Sequence, residues 1–340
     1  MNKRFKNALQ GIAQPTPPIW FMRQAGRYHS HYQKLRKEHT FEELCKHPEL
    51  ATEVACGPMI DFDYDVAILF SDILFPLEML GLKLSYNPGP TFENYLGEND
   101  VRLRVKDSTV EEKLNFQVDA IKLTRKALAK DKSLVGFIGG PWTILSYGMN
   151  MKNESCIMID KETKYIEKLL YDVLFPILRK NIEMQLEAGA EIVYIFDTNS
   201  IQLENTYYLE TYMSKMKSEL FLPFGGRLAY FSKNQNFYKQ NISVLSDYNL
   251  AGVVYPNEKG FINFLKKEKN FFVQGNFSPK SLLNNHDSYL LDFKNFVKKI
   301  RKLSLEEKKG WLCSLSHGVL PKTPEQNVKH FVSNIRKSFC

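Results

Sequence analysis

The feature that most constrains this chain is an alternation: brief apolar runs recur between longer amphipathic stretches along almost its whole length. Eight runs have strand length: IWFM (19–22), VAILF (66–70), LVGFIG (134–139), IVYIF (192–196), RLAYF (227–231), AGVVY (251–255), FFVQG (271–275) and WLCSL (311–315). Most are rich in β-branched or aromatic residues, which suit a pleated surface. Between them lie helical patterns such as VEEKLNFQVDAIKLTRKALAK (110–130) and IEKLLYDVLFPILRKNIEMQLEAGA (166–190). The second ends on Glu-Ala-Gly-Ala-Glu, a helix stop followed at once by a strand.

Continuous apolar strands alternating with helices call for a parallel sheet covered on both faces. Eight of them predict an α/β chain folded as a (β/α)8 TIM barrel, a single domain over 1–340, with a doubly wound open sheet as the alternative. Only about 15 residues separate Tyr255 from Phe271, and the stretch before RLAYF is irregular, so two intervals fit the barrel less well. The gap from 71 to 133 exceeds one helix and predicts extra loops around NPGPTFENYLGEND (87–100). With 44% hydrophobic residues, the 340-residue chain has ample material for a core.

The net charge of +8 points to anionic partners without choosing among nucleic acid, phosphate and a polycarboxylate. Segments such as KKEK (266–269) and KKIRK (298–302) read as solvated helix faces, and no nucleic-acid-binding module is recognisable. Five cysteines stand far apart, with no C-x-x-C and no His close to a Cys pair, so neither a zinc set nor a disulfide framework is indicated. Scattered thiols, a basic N-terminus without an apolar signal core and no run near the ~18 apolar residues of a membrane span predict a cytoplasmic protein.

Polar groups cluster just past the apolar runs: Arg23 and Arg27 after the first, Asp72 after the second, Gly140, Pro141 and Tyr147 after the third. Asp197 and Thr198 follow the fourth, Asn276 the seventh and His317 the eighth. In a barrel those ends share the face where active sites are built. Arg23 and Arg27 read either as surface salt-bridge partners or as a pair of planar forks for carboxylates, in a half-buried setting beside Trp20, Phe21 and Met22. Asp72 in FSDIL reads as an N-cap, or as a carboxylate that accepts ligand N–H groups and offsets developing positive charge while Ser71 does the capping. GFIGGPWTILSYGM (136–149) has glycines for close backbone approach, but neither phosphate-loop pattern is present. Tyr147 reads as core or substrate-facing, His317 as structural or catalytic, and Thr198 as a turn cap or a substrate contact.

Together WFMRQAGRY, FSDIL, GFIGGPWT, FDT, VQGN and LSHG, in this order over nearly the whole chain, resemble the uroporphyrinogen decarboxylase family. MRQAGR and GF-x-G-x-P-W-T are similar to that family's two signature segments. The resemblance implies a (β/α)8 barrel, a homodimer, and loss of CO2 from four acetate side chains of uroporphyrinogen III without metal or organic cofactor. It implies that Arg23 and Arg27 grip substrate carboxylates and that Asp72 binds pyrrole N–H groups. It also places Tyr147, Thr198 and His317 at the remaining polar positions, with Gln24 touching substrate through its backbone. Arg23, Asp72, Tyr147 and His317 are the catalytic candidates; an arginine is a poor general acid at neutral pH, and His317 or Tyr147 matches better by pKa.

Three segments depart from the family pattern: GMNMKNES (148–155) where a glycine-rich loop is usual, Asn199-Ser200 in place of a glycine pair, and AGVVYPNEKG (251–260) without the usual Asp-Trp. A corrinoid-linked methyltransferase would share the barrel but needs a zinc thiolate site, typically His-x-Cys with a distant Cys, and no His-x-Cys occurs.

Overall fold

The computed structural model describes residues 1–87 and 89–340, so Pro88, inside the 87–100 segment expected to form extra loops, lies outside the described residues. Among the described residues there are nine strands: β1 (Val66–Ile68), β2 (Leu84–Tyr86), β3 (Pro90–Phe92), β4 (Ser133–Gly139), β5 (Val193–Asp197), β6 (Leu228–Ser232), β7 (Gly252–Val254), β8 (Phe272–Phe277) and β9 (Trp311–Leu315). Seven of the eight apolar runs are thus strands, alternating with helices, and the α/β class stands. Two compact units divide the chain: Met1–Phe70, Leu123–Val135 and Ala251–Cys340 form the first, Ser71–Lys122 and Gly136–Leu250 the second. Strand β4 contributes its first half to one and its second half to the other.

In the first unit β1 pairs in parallel with the start of β4, Val66 opposite Ser133. Strands β7, β8 and β9 pair in parallel, with Gly252 opposite Phe272 and Val273 opposite Trp311. The eighth run, IWFM, shrinks to one bridge, Ile19 against Cys313. Cys313 N–H donates to Pro18 O (2.9 Å) on one side, and Asp65 N–H donates to Ile19 O (2.9 Å) on the other. The segment therefore lies between β9 and the entrance of β1. It stays short because Pro17 and Pro18 bring no N–H to a ladder and Arg23, at φ 60°, turns the chain away. Asp65, buried, accepts from Ile19 N–H (2.8 Å) and Arg4 Nη1 (2.6 Å); burial pushes its carboxyl up, against the pull of Arg4. Phe21 packs edge-on against Tyr64 (5.3 Å) and Phe331 (5.2 Å), and each such buried ring contributes about 1.5–3 kcal/mol.

In the second unit β4, β5 and β6 pair in parallel, Gly136 opposite Val193 and Val193 opposite Leu228. The long gap after β1 holds a 3-10 turn, Phe75–Leu80, and the antiparallel β2–β3 hairpin before helix Asp107–Ala127. The helix expected over 166–190 is present with one widened, π-type turn, Leu169–Leu174, just before Pro176. A proline lacks the N–H that a regular turn would use there, and the wider turn absorbs the break. Gly189, at φ 113°, then ends the helix ahead of β5. Among the described residues, no helix is long and apolar enough to cross a membrane.

Candidate active site

The loop carrying Arg23 and Arg27 is built from the inside out. Ile19, Trp20 and Phe21 are fully buried and anchor its upstream end. Arg23 then takes φ 60°, a conformation uncommon for any residue with a Cβ. Gln24, itself buried, ties the loop down: its Nε2 donates to Val66 O (3.0 Å) on β1, and its Oε1 accepts from Phe21 N–H (3.3 Å). Its backbone N–H donates to Phe21 O (3.0 Å), and its carbonyl accepts from the Tyr28 hydroxyl (2.7 Å). Burial holds the Tyr28 phenol well above its ordinary pKa, so it keeps the proton it donates. Gln24 thus has structural work for its side chain and both backbone groups.

Arg23 and Arg27 are exposed, where a half-buried setting was expected. The three apolar neighbours do enter the core, and Gln24, Tyr28 and His29 are buried with them, while the turn from Arg23 to Arg27 leaves both arginines exposed. Hydrated guanidinium groups carry no burial penalty before an anion arrives.

His317 follows β9 and is half-buried. On either side the backbone is fixed: Ser316 N–H donates to Phe277 O and Val319 N–H donates to Met22 O, both at 2.9 Å. Gly318 passes so close to the loop that a Cβ there would stand 2.6 Å from Arg23 Cδ and 2.9 Å from Cγ. MRQAGR and LSHG, nearly 300 positions apart, are therefore neighbours in the first unit. Gly318→Ala is expected to push Arg23 out of place, raising KM about tenfold with little change in melting temperature. Steady-state kinetics beside a thermal melt checks this; an unchanged KM would mean that the position of Arg23 is unimportant.

In the second unit Asp72 is half-buried and its Oδ1 accepts from Leu74 N–H (2.8 Å). Ser71, the alternative capping residue, instead accepts from Gln117 Nε2 (3.0 Å), so Asp72 itself closes the local turn. Farther along, β4 runs into helix Pro141–Gly148 through Gly140, where a Cβ would lie 2.2 Å from the Asp197 carboxyl. Asp197, fully buried at the end of β5, accepts from Thr143 Oγ1 (2.8 Å), Thr143 N–H (3.1 Å), Tyr212 OH (2.7 Å) and Tyr230 OH (3.0 Å). Desolvation raises its pKa, outweighing the opposing pull of those donors.

Thr198 comes next and is half-buried. Asn199 joins its turn to the helix that bears Tyr147: its N–H donates to Thr143 Oγ1 (2.9 Å) and its Nδ2 to Ser146 Oγ (2.8 Å). Ser200 Oγ donates to Asp197 O (2.7 Å) and meets Ser232 Oγ (2.7 Å). The two residues standing where glycines were expected are thus fully used as fasteners. Tyr147 is half-buried, with Lys152 Nζ 5.4 Å above its ring, so the divergent 148–155 segment adds a cation there.

Sequence reading placed Asp197 at a strand end but gave it no role. Its partners lie 54, 15 and 33 positions away on separate elements. The available signal was a carboxylate closing an otherwise apolar run.

Parallel strands alternating with helices, with chemistry-bearing side chains just past the strand ends, define an α/β enzyme. A sequence model of the family described as uroporphyrinogen decarboxylase (URO-D) matches residues 1–338. The chain is 33% identical over 338 residues to a uroporphyrinogen decarboxylase of Campylobacter jejuni, covering 95% of this chain and 96% of that one. It is 36% identical over 333 residues to the enzyme of the same name from Helicobacter acinonychis, covering 94% of each. Among solved structures, a methyltransferase from Methanosarcina mazei superposes with a TM-score of 0.67 at 18% identity, covering 100% of this chain and 99% of that one, a likeness of fold. The chain belongs to the uroporphyrinogen decarboxylase family. It is a carboxy-lyase of porphyrin biosynthesis.

Proposed function

We propose that this enzyme removes CO2 from all four acetate side chains of uroporphyrinogen III to give coproporphyrinogen III, using no cofactor. Each turnover exchanges a carboxylate for a proton. Protonation of a pyrrole ring carbon makes a cation conjugated to the acetate. The C–CO2 bond then breaks with its electron pair entering that ring, and a second protonation, offset by loss of the first proton, leaves a methyl group. The substrate supplies the electron sink that a cofactor supplies elsewhere. The protein has to deliver the proton, offset the cation and hold the carboxylates.

Arg23 and Arg27 hold acetate and propionate groups as bidentate forks, and Asp72 accepts the pyrrole N–H groups and balances the cation. Tyr147, Thr198 and His317 complete the polar contacts, with Arg23, Tyr147 or His317 as the proton source and Gln24 contacting substrate through its backbone carbonyl, which keeps one lone pair beside the Tyr28 bond. The reading is carried by one observation: the chain just past β9 is bonded to Met22 and packed on Arg23, which brings an imidazole-bearing turn to the paired guanidinium loop.

The proposal includes a closed eight-stranded (β/α)8 barrel as a single domain, with Pro18–Ile19 as its first, shortened strand. The hydrogen bonds of that segment to Cys313 and Asp65 support this reading, as does the span of the family match. A cytoplasmic homodimer without nucleic acid or membrane partners completes it. Anaerobic incubation with uroporphyrinogen, followed by oxidation and chromatography of the porphyrins, is expected to show hepta-, hexa- and pentacarboxylic species giving way to the tetracarboxylic product. Persistence of the eight-carboxylate species would overturn the assignment.

A further inference from the structure

We infer that His29, held by Asp61, is a positioning residue for the guanidinium loop. The inference rests on reading Arg23 and Arg27 as the carboxylate-binding pair. His29 ends that loop and is fully buried, with Nε2 2.7 Å from Asp61 Oδ2. Its ring lies against Phe62 (5.0 Å between centroids), the residue after Asp61 on helix Pro48–Phe62. Nδ1 is buried and has no hydrogen-bond partner among the described residues. This arrangement selects one neutral tautomer: Nε2–H donates to Asp61, and Nδ1 stays bare.

The backbone of His29 transmits this restraint to Arg27. His29 N–H donates to Gly26 O (2.9 Å), closing the turn that contains Arg27, and His29 O accepts from Gln33 N–H (3.0 Å), starting helix Ser30–Glu38. Gln33 Nε2 donates to Arg27 O (2.8 Å). Immediately downstream, Ser30 N–H donates to Glu325 Oε1, so a carboxylate from the C-terminal helix caps a helix whose N-cap residue, His29, offers no side-chain bond. The loop is thus pinned by Gln24 upstream and by the His29–Asp61 and Ser30–Glu325 contacts downstream. Long, exposed arginines lose much rotamer freedom on binding, and a backbone already held in place limits that loss.

A second proton on His29 would bury an N–H without an acceptor. Burial lowers the imidazole pKa below its usual 6.5, more strongly than Asp61 raises it. Besides Asp61, the ionisable groups around it are Glu325 on helix Glu325–Ser338, His31, which faces Glu53, and the neighbouring Tyr28, while Lys329 lies over the Phe62 ring. A released loop takes up a proton near pH 6.5, whereas the docked loop resists until lower pH. Docking is therefore fully favoured above about pH 6.5 and weakens as the pH falls through that value.

The test is steady-state kinetics of the full-length enzyme with uroporphyrinogen across pH. Asp61→Ala, a change at an exposed carboxylate, is expected to raise KM about tenfold at pH 7 with kcat within about twofold. His29→Gln, whose amide can reach Asp61 but does not titrate, should keep the parent KM at pH 7 and lack the parent's rise in KM below about pH 6.5. An unchanged KM in Asp61→Ala overturns the inference, as does a persistent acid-side rise in His29→Gln. Arg27→Lys separates the two levels. A raised KM there with no effect of Asp61→Ala removes only the positioning role, whereas an unchanged KM in Arg27→Lys removes the carboxylate-binding role itself.

Discussion

Asp72→Asn is expected to lower the rate of decarboxylation about 10²–10³-fold while its melting curve stays close to that of the parent chain. The Asp72 side chain has two separable tasks. Asp72 Oδ1 accepts from Leu74 N–H, and an asparagine retains an oxygen in that position, so the local turn survives. The negative charge is lost, and with it the group assigned to balance the protonated pyrrole. A fixed countercharge aimed at positive charge present only on the reaction path acts on kcat more than on KM. Asp72→Ala is the companion variant: it loses the charge and the cap together, adding about 1 kcal/mol of destabilisation to the same catalytic loss. Anaerobic single-turnover rates together with thermal melts check both. Near-parent rates in Asp72→Asn would leave the residue with its capping task alone.

Asp197→Ala has its large effect on stability, with an expected loss of about 3–5 kcal/mol. Removing the carboxylate takes the acceptor from two tyrosine hydroxyls, a threonine hydroxyl and a backbone N–H, all buried. Each orphaned donor costs about 1–3 kcal/mol, partly relieved by relaxation and entry of water. The melting temperature should fall on the order of 10 °C for a chain of this size. Activity should fall with it, because Thr143 also receives the Asn199 N–H that joins the turn of Thr198 to the helix of Tyr147. Denaturant titration followed by circular dichroism gives the stability change. A loss below about 1 kcal/mol would show that the network rearranges around the gap.

Much of the fold was legible because hydrophobic periodicity is a local property. Seven of the eight apolar runs became strands, and the helix stop at Gly189 was written in Glu-Ala-Gly-Ala-Glu. The exceptions have local causes that periodicity does not weigh. IWFM is apolar enough for a strand, but two prolines precede it and a left-handed residue follows. The helix pattern over 166–190 holds as far as Glu187, yet Pro176 required a wider turn within it.

The site divides along the same line. Residue types and their order along the chain made Arg23, Arg27, Asp72, Tyr147, Thr198 and His317 candidates and pointed to an anionic partner, and the family resemblance supplied the role proposed for each. The sequence also carried the family, through segments whose spacing a family match over residues 1–338 bears out. Only the folded chain decided that Arg23 and Arg27 are exposed, that Asp72 rather than Ser71 caps its turn, and that Gln24, Asn199 and Ser200 act as fasteners. Those outcomes depend on which distant donor reaches which acceptor and on how much water each group loses. Burial and hydrogen-bond partnership are set by contacts between residues far apart in the chain, so no local pattern records them.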